Sequence, residues 1–201
     1  MAVYGNLACP VTPSVLMNDS RVEVIGAAPG VVTFTVPASL DGQTSAAVKV
    51  DCNGQQTDPV QLALAPVSPG IFTLAQNGTG QGAVRNPDAT VNGPSNPASV
   101  KTYLAIYATG FGTYLDPGPD GLQRLTHDVQ AFIGDRPAQI QFAGHAPQST
   151  LGLQQINVLI PDDAPIGPGV SLRLVVNGVS TQPGVTIAIQ QAPVSGPTAP
   201  R

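Results

Sequence analysis

Two stretches of this chain repeat one another, and that self-similarity limits the folds open to it. Residues 22–30 read VEVIGAAPG and residues 140–147 read IQFAGHAP, so Gly26 matches Gly144 and Pro29 matches Pro147. VTFTVP at 32–37 is answered by INVLIP at 156–161, and Gly42 by Gly167. VKVDCNG at 48–54 is answered by LRLVVNG at 172–178, Pro59 by Pro183, and QLAL at 61–64 by TIAI at 186–189. The second copy carries about six extra residues before its VLIP strand. A repeat this long marks two related domains, not a solenoid of short units.

Each copy reads as β-structure. VTFTVP and INVLIP are apolar strands stopped by Pro, which has no N–H to give a ladder. Asn53-Gly54 and Asn177-Gly178 lie between apolar or alternating runs. A type I′ turn needs positive φ at both central residues, and Asn-Gly meets that need best. This spacing pairs 46–51 with 55–64, and 170–176 with 179–189. Further strands are expected at Val3–Leu7, at Val11–Leu16, and at Thr102–Thr109 before Gly110-Phe-Gly112. The segment 67–135 supplies the first strands of the second domain. Short strands with Gly and Pro between them indicate β-sandwiches.

Composition closes off several functions. Eight Lys+Arg stand against twelve Asp+Glu, a net charge of −4, and charged residues are only 10% of the chain. So few basic residues cannot track a phosphate backbone, which excludes a nucleic-acid partner. Pro (21) and Gly (22) interrupt helices too often for a bundle. The apolar content of 42% argues against disorder. No apolar run reaches the length of a transmembrane helix. Met1 is followed by Ala-Val-Tyr-Gly-Asn, with neither a basic start nor a long apolar stretch, so no signal peptide is visible. Cys9 and Cys52 are candidates for one disulfide, with two buried thiols as the alternative.

No chemical constellation stands out. A Ser-His-Asp triad needs a His held by a carboxylate beside a nucleophile. His127 neighbours Asp128, but adjacent strand residues face opposite ways, and His145 reads as a surface-loop residue. Asp116 and Asp120 form a weak calcium candidate, to which Asp162-Asp163 would add ligands only if the fold brought them close. Gly78-x-Gly80-x-Gly82 lacks the strand-to-helix setting of a nucleotide loop and reads as a turn or bulge. Tyr103 and Tyr107 share one face of a strand, with Tyr114 nearby, and core packing accounts for them. Asn18-Asp-Ser20 and Asn77-Gly-Thr79 match the N-glycosylation sequon. No catalytic residue, resident metal or cofactor is expected, and the chain is read as a non-enzyme.

The motif string SPGIFT at 68–73, GQGAVRNPDATVNGPSNPA at 80–98, IYATGFG at 106–112, FAGHAP, QINVLIPDDAP at 155–165 and VNGVSTQPGVTIAI at 176–189 resembles the C-terminal domain family of uncharacterised proteins found in Solibacter and other acidobacteria. The likeness covers roughly residues 20–190. It implies a secreted or cell-surface Ig-like β module with no known activity and no catalytic residues to carry over. Cys9 and Cys52 are not expected from that family. The fold expected is therefore all-β: two tandem Ig-like antiparallel β-sandwich domains related by the internal repeat. Residues 1–66 form the first and shorter domain, 67–191 the second, and 192–201 a Pro-rich tail.

The function expected is a non-enzymatic extracellular or cell-surface assembly module. Sandwich edges are normally guarded by Lys and other charges, and this chain has few. Self-association by edge strands follows, into a filament or larger surface assembly, with the N-terminal residues Ala2, Val3, Tyr4 and Leu7 as candidates for strand addition. The partner expected is a second copy or another surface protein. The alternative is an adhesin-like binding module for a polysaccharide or protein, with the polar 67–100 region as its surface.

Overall fold

The structure, a computed structural model, describes residues 1–5, 9, 11–150 and 152–192, with the backbone alone at Ala2 and Val3. The candidate Leu7 and most of the 192–201 tail lie outside the described residues. The chain is all-β and divides into two units. The first comprises Met1–Pro66 with Thr150–Gly152, the second Val67–Ser149 with Leu153 onward.

Unit 1 holds β1 (Ala2–Tyr4), β2 (Ser14–Met17), β3 (Ser20–Val22), β4 (Val24–Ala28), β5 (Val31–Phe34), β6 (Ser45–Cys52), β7 (Gln55–Gln56) and β8 (Val60–Ala63). One sheet runs β1-β5-β4, the other β3-β2-β6 with β7 and β8 both on β6. Alternate residues point inward, as the two-residue period of a strand requires. Val15 and Met17 of β2, Ala46 and Val48 of β6, and Val32 and Phe34 of β5 meet with Leu40 in one core. The two sheets therefore pack on each other in a sandwich-like way.

Unit 2 holds β9 (Gly70–Ile71), β10 (Gly80–Gln81), β11 (Val84–Arg85), β12 (Ala98–Ser99), β13 (Tyr103–Thr109), β14 (Val129–Ile133), β15 (Arg136–His145), β16 (Gln154–Leu159), β17 (Gly167–Val176), β18 (Val179–Ser180) and β19 (Val185–Gln190). All eleven join one sheet that bends over on itself into a half-barrel. Two long strands make the bend. β15 pairs with β14 over 136–138 and with β16 over 139–145, shifting register between Ile140 and Phe142. β17 pairs with β14 over 172–176 and with β19 over 167–171. Leu104, Ile106, Ile156 and Val158 from one side meet Leu172, Leu174, Ile187 and Ile189 from the other in a single aliphatic core.

Both units use one pairing pattern. The Asn-Gly turns form as their sequence requires, with φ of 52° and 87° at Asn53 and Gly54 and 49° and 74° at Asn177 and Gly178. After each turn the returning strand is split in two, β7 and β8 in unit 1 and β18 and β19 in unit 2, where one continuous strand was expected. Pro59 and Pro183 fall in the gaps, since neither can continue a ladder. A threonine brackets each gap. Val50 N–H donates to Thr57 Oγ1 (3.1 Å) and Thr57 N–H to Val50 O (2.9 Å). Leu174 N–H donates likewise to Thr181 Oγ1 (3.2 Å) and Thr181 N–H to Leu174 O (2.9 Å).

The pattern extends beyond the repeat visible in sequence. The turn at Asn18 sends its N–H to Ala47 O (2.9 Å), and the turn at Gly134 sends its own to Ser171 O (2.8 Å). β1 lies on β5 with Tyr4 opposite Val31, as β13 lies on β16 with Tyr107 opposite Gln155. The N-terminal strands differ from expectation in extent: β1 is Ala2–Tyr4, and β2 begins at Ser14, directly after Pro13. Gly144 is needed for space, because a Cβ there would overlap Gln123 O and the Phe142 ring, whereas at Gly26 a Cβ meets open space.

Candidate functional site

The titratable residues singled out from sequence do not converge. His127 lies against the bare backbone of Gly112, where a Cβ would come within 2.8 Å of its ring. His145 is not a surface-loop residue: it ends β15, half-buried and edge-on to Tyr114 with ring centroids 5.7 Å apart. Burial raises the Tyr114 phenol above its ordinary pKa. Among the described residues neither histidine side chain meets a carboxylate, which is the first contact a triad requires.

Of the two calcium candidates, Asp120 is committed elsewhere. Asp120 Oδ1 accepts from Leu122 N–H (3.1 Å) and Arg124 Nη1 (3.1 Å), and Oδ2 accepts from Arg124 Nη2 (2.6 Å). Asp116 is exposed. Asp162 pairs with Lys101 at 2.9 Å and Asp163 with Arg136 at 3.2 Å. Among the described residues no group of three or more His, Cys, Asp or Glu is placed to hold a metal. The bidentate hydrogen bonds from Arg124 hold the Asp120 carboxyl down at about 2. A depressed carboxyl pKa means the contact is fully made above the ordinary carboxylate range and is lost as pH falls through about 2. An NMR titration of the Asp120 carboxyl should therefore show no inflection near 4, and an inflection there would contradict the pairing.

The aromatic residues are placed differently from expectation. Tyr103 and Tyr107 do share a face of β13, but it is the outer face, not the core. The core there is aliphatic, built from Leu104, Ile106 and Ala108. Arg85 lies 5.8 Å over the Tyr107 ring. Tyr103, Tyr107, Arg85, Gln155 and Asn157 line an open groove of about 280 Å³. Both sequon asparagines are engaged: Asn18 Oδ1 accepts Ala47 N–H (2.8 Å), and Asn77 Oδ1 accepts Thr79 N–H (3.0 Å). The glycine string is a turn at its start, where Gly78 sits in a bend with φ 82°, and a strand at its end. Gly80 N–H and Gly82 N–H bond to Gly184 O (2.8 Å) and Thr186 O (2.9 Å), so β10 lies along β19 as a short parallel strand.

That pairing exposes the main asymmetry of the molecule. In unit 2 the outer edge of β19 is fully occupied. Besides the two glycine bonds, Val100 N–H reaches Gln190 O (3.1 Å). The Asn92 carboxamide binds Ala188 as a peptide group would, accepting its N–H (2.8 Å) and donating to its C=O (2.9 Å). The outer edge of β13 is occupied too: Tyr107 N–H donates to Ala83 O (3.1 Å) and Tyr107 O accepts Phe72 N–H (3.0 Å). All these partners come from residues 72–100.

Unit 1 lacks that cover. β8 pairs with β6 alone and β1 with β5 alone, and among the described residues nothing pairs with their outer edges. By register, Val60 to Leu64 match Val185 to Ile189. Val185 is 1% exposed and Val60 is 66% exposed; Ala188 is 0% exposed while Ala63 is open to solvent. Leu64 N–H bonds inward to Thr44 O (2.9 Å), so by antiparallel alternation Gln61 and Ala63 turn their N–H and C=O outward. The edge VQLAL carries no charge, Pro or bulge of the kinds that normally guard a strand.

The assembly candidates are placed in the same unit. Ala2, Val3 and Tyr4 are paired with β5 of their own chain, so β1 is positioned to receive a strand on its far side. Tyr4 is 79% exposed. Cys9 and Cys52 are joined as a disulfide that ties the N-terminal segment to the end of β6. Sequence reasoning missed Asn92, Thr57 and Thr181. The last two had a visible signal, the shared pattern Asn-Gly-x-x-Thr-x-Pro at 53–59 and 177–183. No protein-family model matches the chain, and no curated protein or solved structure matches it.

Proposed function

We propose that this chain is a non-enzymatic structural module, built as two tandem Ig-like sandwich repeats, that associates with copies of itself through sheet edges at the cell surface or outside the cell. The observation that carries this is the uncovered, uncharged edge of β8, whose counterpart in the same chain is buried. An exposed apolar edge is a template for strand pairing, and main-chain bonds across it give affinity without a preformed pocket. The Cys9–Cys52 disulfide supports an oxidising compartment. The likeness to the acidobacterial surface-module family agrees with that placement.

Light scattering of the purified chain across a concentration series, with electron microscopy of undenatured material, tests the proposal. Mass rising above the 20.4 kDa monomer into rings, sheets or filaments is expected. A monomer at every concentration would overturn it. A second reading, a binding module for a polysaccharide, is favoured by the groove of Tyr103, Tyr107, Arg85, Gln155 and Asn157, whose outward-facing, partly exposed rings and amides suit a sugar face. A glycan array with no signal above background would remove it.

A further inference from the structure

The two units share strands and register, yet one has a cover that the other lacks. The cover is residues 67–102, a stretch of thirty-six with three charges, Arg85, Asp88 and Lys101, and many Gly and Asn. Its own strands, β9 to β12, are two residues each, so it forms no sheet by itself. It is held by backbone bonds to β13 and β19, by Asn92 on Ala188, and by Val84, Ala98 and Val100 packed in the core. Each receiving group has a counterpart in unit 1. Gly184, Thr186, Ala188 and Gln190 correspond to Pro59, Gln61, Ala63 and Ala65, and Tyr107 to Tyr4. The apolar surface beneath is also present, since Leu62 and Leu64 pack only partly against the unit 1 core.

We propose that the outer edges of β8 and β1 bind an extended polypeptide segment of the same chemistry as residues 67–102. Such a segment is nearly uncharged and Gly/Asn-rich. It presents N–H donors to the carbonyls of Pro59, Gln61 and Ala65, and a carboxamide side chain to both polar groups of Ala63. The proposal rests on the assembly reading for its receiving edge and names the chemistry of the segment that this edge takes. Shape and chemistry support this occupant because the chain already solves the same problem once, on the same strands. A charged donor fits poorly, as no ion-pairing group lies on the edge from Val60 to Leu64.

The test uses the full chain and a fluorescent synthetic peptide of residues 67–102, read by anisotropy. Saturable binding is expected. Ala63→Pro removes only an outward N–H, which an edge strand tolerates, and should weaken binding by about tenfold or more. Gln61→Lys places a guard charge at the same edge without touching the inward ladder and should weaken it as well. Circular dichroism of both variants establishes that the fold is kept. Absence of saturable binding, or binding unchanged in both folded variants, overturns the proposal; the second result would mean the peptide exchanges into unit 2.

Light scattering on the same samples separates this from the assembly reading. A monomeric chain that binds the peptide keeps the edge proposal and loses self-assembly. A chain that assembles, fails to bind the peptide and is made monomeric by Ala63→Pro pairs β8 with its own copy, which overturns the donor named here and keeps self-assembly.

Discussion

Replacing Asn92 with alanine should destabilise unit 2 by about 3–5 kcal/mol, because each buried polar group left unpaired costs about 1–3 kcal/mol. The side chain is fully buried and makes four hydrogen bonds. Its amide nitrogen donates to Ala188 O (2.9 Å) and Asn86 Oδ1 (2.9 Å), and its oxygen accepts from Ala188 N–H (2.8 Å) and Gln81 Nε2 (3.0 Å). Truncation leaves the Ala188 peptide, itself buried, without a partner and detaches the cover from the middle of β19. Asn92→Asp should do no better, since a carboxylate accepts but cannot donate to Ala188 O, and its charge would be buried. Denaturant unfolding followed by near-ultraviolet circular dichroism measures the loss. A change under about 1 kcal/mol, the size of a typical surface substitution, would contradict the role given to this side chain.

Reducing the Cys9–Cys52 bond should lower the stability of unit 1 by about 4 kcal/mol, the chain-entropy value for a loop of this length. The cysteines are 43 residues apart. Unit 1 is poorly placed to absorb the loss. Among the described residues its core gathers seven buried apolar side chains, against twenty-three in unit 2. Small cores need staples. The expected result is two unfolding transitions, of which only the one belonging to unit 1 moves down on adding reductant or in a Cys9→Ser, Cys52→Ser variant. If both transitions stay in place, the disulfide does not hold unit 1 together.

Much of the architecture was legible from local chemistry. Asn53-Gly54 and Asn177-Gly178 marked their turns because few other residue pairs accept positive φ twice in succession. The repeat aligned Gln61–Leu64 with Thr186–Ile189, the same match that the structural register gives. The short pieces were not legible. Two-residue strands such as β10 and β12 carry no period to detect, and their place is fixed by the edge they cover, a tertiary fact. Sequence alone assigns Tyr103 and Tyr107 to core packing, because aromatic strand residues usually pack inward; in the structure Leu104 and Ile106 fill the interior and the rings face out. In sequence His145 falls in the loop-like stretch Gly144-His-Ala-Pro147; in the structure β15 runs on to His145 before the turn. The asymmetry of the two units was hidden for a different reason. VQLAL and VTIAI are equally apolar as strings, and only the pairing shows that one is buried and the other open.

Amide hydrogen exchange, resolved by residue and recorded at low and high protein concentration, tests the central claim most directly. The outward N–H groups of Gln61 and Ala63 should exchange quickly in dilute solution, while those of Thr186 and Ala188, their counterparts under the cover, stay protected. Raising the concentration should slow Gln61 and Ala63 and leave Thr186 and Ala188 unchanged, because association covers the open edge. If Gln61 and Ala63 remain fast at high concentration, or are already as slow as Ala188 when dilute, the edge of β8 is not the surface through which this protein assembles.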